Sequence, residues 1–220
     1  MSRYQPEWVN GREVGTGRRD AAGRYKAIAD YLGDDMRGFH VLDLGAYNGY
    51  FSRRLAEDFG AHCVAADDYV GLTDAPGVKA VRKRLSMPEL TSLGSFDVVL
   101  CLSVLHHLPD WRAYLDALVS MAPLVFIETA HPDEVLPKAK AHGQSREIEA
   151  AVDALAGAHG TMLAFTPGHD ARHARPLWVI DRRTKSDPEP APEPAAEPEE
   201  KPKPVKRPRR RASKPVGDAQ

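Results

Sequence analysis

The run Val41-Leu42-Asp43-Leu44 leads straight into Gly45-Ala46-Tyr47-Asn48-Gly49, after which Phe51, Leu55 and Phe59 recur every four residues. This reads as a strand, a glycine turn and the start of a helix. Glycine lets the backbone turn sharply and a ligand come close, and the free N–H groups at a helix N-terminus favour anionic groups. About twenty residues further on, the next strand ends in Ala66-Asp67-Asp68, where a carboxylate can accept from both hydroxyls of a ribose. The spacing favours Asp67, with Asp68 either solvated or turned toward a nucleobase. Asp43 has two readings: part of the ligand site, or a carboxylate that braces the loop, because an acid inside an apolar strand is costly without a partner.

A second constellation follows two other strand-like runs, Phe96 to Leu102 and Leu124 to Glu128. In parallel α/β sheets ligands lie beyond the carboxyl ends of the strands, which selects Ser103, His106, His107, Glu128, Thr129 and His131. His106, His107 and Glu128 are the candidate catalytic residues. A histidine titrates near working pH and can take a proton from a reacting group, with one of the adjacent pair facing a pocket and the other packing. The competing reading, that both are structural hydrogen-bonders at a strand end, has equal weight. His169 and His173 lack a metal-ligand spacing and fall in an expected loop.

The elements that position these groups follow from hydrophobic patterning. Short apolar runs, Val41 to Leu44, Cys63 to Ala66, Val78 to Arg82, Phe96 to Leu102 and Leu124 to Glu128, alternate with helical stripes. Tyr25, Ile28, Ala29 and Leu32 form one stripe, Trp111, Tyr114, Leu115 and Leu118 a second, and Ile148, Ala151, Val152 and Leu155 a third. Asp110 and Ser145 suit the N-caps of the last two. The pattern is α/β, a Rossmann-like, mainly parallel sheet with helices on both faces. Thr161 to Thr166 and Pro176 to Asp181 also read as strands, but Pro167 to Arg175 is too short for a crossover helix. They should therefore close the fold as a C-terminal antiparallel hairpin.

The segment VLDLGAYNGYFSRRLAEDFGAHCVAADD resembles the first two motifs of class I S-adenosylmethionine-dependent methyltransferases, and FDVVLCLSVLHHLPDW resembles their fourth. The resemblance spans roughly Arg18 to Arg182. It implies S-adenosylmethionine as cofactor, with Asp43 supporting the turn and the methionine end, Gly45, Ala46, Asn48 and Gly49 passing beneath it, and Asp67 on the ribose. It places Ser86 and Met87 beside the adenine and adds Leu102 and Ser103 at the strand end. Tyr47 departs from the family's central glycine, which bears on the shape of the loop. A sulfonium leaving group departs neutral, so in-line positioning, which can supply on the order of 7–11 kcal/mol, is expected to carry most of the catalysis. Cys101-Leu102-Ser103-Val104 stands where many relatives have an Asn/Asp-Pro-Pro-aromatic grip on an exocyclic amine. The resemblance therefore points to a small-molecule or RNA acceptor.

The 220 residues carry a net charge of -1, which exerts no global pull toward nucleic acid or membrane, so any electrostatic recognition must be local. Charge is segregated near the C-terminus: residues 184–220 are expected to form a disordered tail, Pro/Glu-rich and then basic from Lys201 to Lys214. The basic half could contact nucleic acid nonspecifically or simply solubilise the chain. The expected organisation is thus an N-terminal extension (1–17), a methyltransferase domain (18–183) and the tail. A non-catalytic nucleic-acid-binding scaffold on a degenerate fold is the alternative to an enzyme. Cys63 and Cys101 lie in apolar runs and read as buried free thiols; with no membrane-length apolar segment and no signal-peptide pattern, a cytoplasmic setting is expected.

Overall fold

The computed structural model describes residues 3–135, 140–168 and 172–183, and the expected tail at 184–220 and His169 lie outside them. A small hairpin, β1 (Glu7–Val9) and β2 (Arg12–Val14), precedes α1 (Ala21–Leu32). There follow β3 (His40–Leu44), α2 (Tyr50–Phe59), β4 (His62–Ala66), β5 (Val78–Val81), α3 (Met87–Thr91) and β6 (Val98–Leu102). The chain continues through α4 (Trp111–Met121), β7 (Leu124–Glu128), α5 (Ser145–His159), β8 (Gly160–Pro167) and β9 (Ala174–Asp181).

The large sheet has the order β5-β4-β3-β6-β7-β9-β8. The first five strands in that order pair in parallel, β9 runs antiparallel to β7, and β8 runs antiparallel to β9. The mainly parallel Rossmann-like sheet and its antiparallel end agree with the sequence reading. Every residue of β6 and β7 is buried, because both faces of these central strands are covered. One face packs on Tyr25 and Ile28 of α1 and Phe51 and Leu55 of α2; the other packs on Trp111 and Leu115 of α4 and Ile148 and Val152 of α5. Connections from β3 turn toward β4 on one side and β6 lies on the other, so the carboxyl end of β3 is the switch point where such sheets open a crevice.

The helix ends differ in detail from expectation. Asp110 occupies an N-cap position without a side-chain cap bond, and Gln144 rather than Ser145 precedes α5, since Ser145 is already its first helical residue. The cap that sequence reading did not select is Asp20, whose carboxylate accepts from the Gly23 N–H at 2.8 Å and starts α1. The segment expected as an extension also packs on the domain. Trp8 Nε1 donates to Glu57 of α2 at 2.9 Å, and Gln5 Nε2 donates to Asn48 Oδ1 at 2.9 Å. Cys63 and Cys101 are free and buried, and burial pushes the Cys101 thiol up to about 12. No helix among the described residues is long and apolar enough to cross a membrane.

Candidate active site

The glycine turn after β3 is held by its own backbone. Gly45 and Ala46 N–H groups both donate to the Ala66 carbonyl, at 2.8 and 3.2 Å, which ties the turn to the end of β4. Gly45 has φ 78°, a conformation that costs an L side chain about 1–2 kcal/mol. Tyr47 adopts the left-handed region as well, at φ 52°. Two interactions offset that strain: the Tyr47 N–H donates to Asp67 Oδ2 at 2.9 Å, and its ring stacks on Tyr69 at 4.1 Å between centroids. Tyrosine thus takes the backbone shape that glycine would take, with a ring added beside the ligand path.

Asp67 also accepts from the Tyr69 N–H, through Oδ1, at 2.8 Å. Each carboxylate oxygen keeps a lone pair, so a diol can still be bound while the carboxylate pins two loops. Asp68 lines the same cleft, in an exposed ion pair with Arg84 at 2.7 Å. Asp43 is buried and accepts from Ser52 Oγ of α2 at 2.6 Å. Burial above all, with the charge of Asp67 adding to it, raises its carboxyl to about 6, against the lowering effect of Ser52. A carboxyl that is harder to ionise folded than unfolded favours folding at low pH, and this contribution is lost as pH rises from about 4 to about 6, a difference of about 3 kcal/mol. Asp43→Asn should therefore be more stable than the parent at pH 7.5 and indistinguishable near pH 4. Melting temperatures across that range check it, and a parent that is the more stable at pH 7.5 would reverse the assignment.

A cleft of about 770 Å³ opens at the carboxyl ends of β3, β4 and β6. Of the residues selected from sequence it brings together Gly45, Asp67, Leu102, Ser103, His106 and His107. Both histidines line it, in a 3-10 turn spanning Leu105–His107, with rings 4.3 Å apart, although only one of the pair was expected to face a pocket. Asp43, Ala46, Asn48, Gly49, Ser86, Met87 and Glu128 are not among the lining residues. Asn48 holds the N-terminal segment through Gln5 and Pro6. Gly49, at φ 77°, starts α2, and a methyl group there would meet Leu72 rather than the cleft. Ser86 donates its N–H and hydroxyl to Glu89 at the head of α3. That side of the cleft is lined instead by Lys83, Arg84 and Leu85, and Tyr114 of α4 fixes the latter by donating to its carbonyl at 2.8 Å.

Glu128 departs most from its expected role. It is fully buried, 2.5 Å from Arg19 Nη2 and 3.5 Å from Arg24 Nη1, and it accepts from the hydroxyls of Ser103 and Thr166. Burial would raise its pKa, but Arg24 and Arg19 together with the two hydroxyls outweigh it and hold the carboxyl below its ordinary range. A carboxylate so fixed in its charged form, away from the cleft, braces the strand end and is not placed to take a proton from an acceptor. Thr129 is buried and His131 stacks on His173 at 4.8 Å; neither lines the cleft. Sequence reading missed Arg19, Arg24 and Arg175, all buried, and Tyr4 and Arg18, which reach the cleft from the N-terminal segment.

A family model described as a methyltransferase domain matches residues 17–164. The chain belongs to that methyltransferase family, and its motifs and sheet are those of the class I, S-adenosylmethionine-dependent superfamily. No curated protein matches the chain. Among solved structures, WbdD, crystallised with a kinase inhibitor, aligns with a TM-score of 0.57 at 21% identity, over 76% of this chain and 42% of WbdD. The chain therefore spans less than half the length of that protein. The N-terminal domain of EvdMO1 with S-adenosylhomocysteine bound aligns with a TM-score of 0.53 at 16% identity, over 82% of this chain and 92% of that domain. The N-methyltransferase NodS from Bradyrhizobium japonicum WM9, in complex with S-adenosylhomocysteine, gives 0.51 at 14% identity, over 74% of this chain and 86% of NodS. At these identities the structural likenesses establish the fold.

Proposed function

We propose that the cleft binds S-adenosylmethionine across the switch point of the sheet and that the protein transfers its methyl group to a small-molecule acceptor. The observation that carries this reading is that one cleft joins Gly45 and Asp67 to Ser103, His106 and His107. Its volume of about 770 Å³ lies within the ordinary range for small-molecule sites, and Leu85, Leu102, Leu108 and Tyr114 give it the apolar lining typical of them. The cofactor supplies an activated methyl on a sulfonium that leaves as a neutral thioether. Asp67 accepts from the ribose with its remaining lone pairs, and Gly45 leaves room for the close approach of the chain. Lys83, Arg84 and Leu85 flank the adenine. Ser103 and the two histidines face the acceptor side, where His106 or His107 takes up the proton released when a hydroxyl or amine is methylated. The main catalytic contribution is the in-line orientation enforced by the walls of the cleft.

Calorimetric titration with S-adenosylhomocysteine tests the cofactor. Asp67→Asn keeps the shape of the side chain and an acceptor for one loop N–H, and should weaken binding about tenfold or more, in line with the roughly 1.5–3 kcal/mol of a charge-assisted hydrogen bond. Unchanged affinity in a folded variant would remove Asp67 from the site. Labelled methyl transfer into fractionated small-molecule and RNA pools then separates the two acceptor classes. Absence of both cofactor binding and transfer would favour the non-catalytic scaffold.

A further inference from the structure

Beneath the acceptor side of the cleft lies a continuous buried network of charged groups. Arg19 and Arg24 meet Glu128, as described above; Ser103 links Glu128 to Arg175, whose Nη1 donates to Ser103 Oγ at 2.8 Å. Arg175 Nε donates in turn to Glu134 at 2.6 Å. Among the described residues, three buried guanidiniums stand with three buried carboxylates, since Asp43 is buried as well and interacts with the charge of Arg24. Crowding the guanidiniums together has a cost: burial lowers the pKa of Arg19, Glu128 restores part of it, and the like charges of Arg24 and Arg175 depress it further.

The network has an outlet into the cleft. Arg175 is 2% exposed yet lines the cleft, and its Nη2 makes no hydrogen bond among the described residues. Its other two nitrogens are fixed by Glu134 and Ser103, so the guanidinium fork is held at a set angle before any ligand arrives. Arg18 lines the same cleft, exposed, with no side-chain hydrogen bond or ion pair among the described residues. Ser103 adds to the constraint, being held at φ 63° by the residues it bridges. A buried guanidinium with an oriented donor left over, beside an exposed cation in the same cleft, is met best by an anion at that point.

We propose that the methyl acceptor carries a carboxylate or phosphate group, bound by Arg175 and Arg18 at the end of the cleft next to Ser103, with its apolar body against Leu102 and Leu108. The arginines determine specificity by reading the acceptor's charge, and neither is needed for the chemistry of transfer. The inference rests on the methyltransferase reading for the word acceptor; the anion site itself stands or falls separately.

The test uses matched probes titrated by calorimetry into the full chain, alone and saturated with S-adenosylhomocysteine: 4-hydroxybenzoate against its uncharged methyl ester, and phenyl phosphate against phenol. The charged probe of a pair should bind at least about tenfold tighter than its neutral partner, as expected for loss of a charge-assisted contact. The pair that shows the larger ratio tells carboxylate from phosphate. In Arg18→Gln, a change at an exposed position, the ratio should fall to within about threefold. Arg175→Lys keeps the charge but loses the fork, and should lower the ratio while circular dichroism and the melting temperature report whether the network still folds. Equal binding of acids and neutral partners overturns the proposal, as does a ratio unchanged in both variants. So does an Arg18→Gln protein that loses affinity for S-adenosylhomocysteine but not for its decarboxylated analogue, because the arginines would then hold the cofactor's own carboxylate. Acid binding that depends on Arg18 in a protein that ignores S-adenosylhomocysteine would uphold the anion site and overturn the methyltransferase reading alone.

Discussion

Glu128→Gln should melt about 6–20 °C below the parent protein, the consequence of losing about 3–5 kcal/mol when one partner of a buried ion network becomes neutral in a domain of this size. The cause is geometric. Arg19 and Arg24 have side chains with essentially no solvent contact, and both lean on this one carboxylate at the end of β7. Glutamine keeps the shape and part of the hydrogen bonding to Ser103 and Thr166 but deprives two buried guanidiniums of the carboxylate they share. Methyl transfer measured well below the melting point should persist within about tenfold of the parent, because a positioning role costs less than removal of a proton acceptor. A variant as stable as the parent and devoid of turnover would return Glu128 to the catalytic set.

The second large effect is expected at Gly45. A methyl group built there lies 2.2 Å from Val104 Cγ2, and the backbone sits at φ 78°, where a β-branched side chain is strongly disfavoured. Gly45→Val must therefore either turn the loop or drive Val104 into the cleft it lines. We expect affinity for S-adenosylhomocysteine to fall at least about a hundredfold, equivalent to about 2.8 kcal/mol, with a smaller loss of stability because the sheet beneath is unchanged. Near-normal affinity in calorimetry would show that the glycine turn is only a connection between β3 and α2. Gly49, which stands equally prominent in the sequence, should respond differently: its added side chain meets Leu72, so its cost falls on the packing of α2.

The contrast between these glycines shows where the sequence is legible. The strands that carry the site are apolar runs bounded by polar residues, and β7 spans Leu124–Glu128 as its pattern predicts, because a strand covered on both faces has little freedom to be polar. The reversal of β8 and β9 follows from the short connection between them. Their order in the sheet does not: β9 lies between β7 and β8, and no local pattern distinguishes an inner from an outer strand of an antiparallel pair. The buried arginines were hidden for a related reason. Arg19, Arg24 and Arg175 are of a residue type that usually faces water, and only tertiary pairing makes their burial affordable. One signal was present, since Arg24 stands four residues before Ile28 and so falls on the apolar face of α1. Similarly, Asp67 was visible through its spacing from the turn, whereas the use of its carboxylate to pin Tyr47 and Tyr69 depends on a loop whose shape no periodicity encodes.

The placement of β9 between β7 and β8 bears on how the protein is made. Synthesis runs from the N-terminus, so β3, β4, β6 and β7 exist before the strand that covers the free edge of β7 has been translated. Until residues 174–181 emerge, that edge presents the unpaired backbone of a strand that is apolar up to its last residue, Glu128, and β8 has only solvent to pair with. Arg175 arrives with the same strand, so the last charges of the buried network and the wall of the cleft are delivered in one step. A ribosome-bound chain halted before β9 would then hold much of the core yet no complete ligand site, with an unpaired edge open to wrong partners until β9 docks.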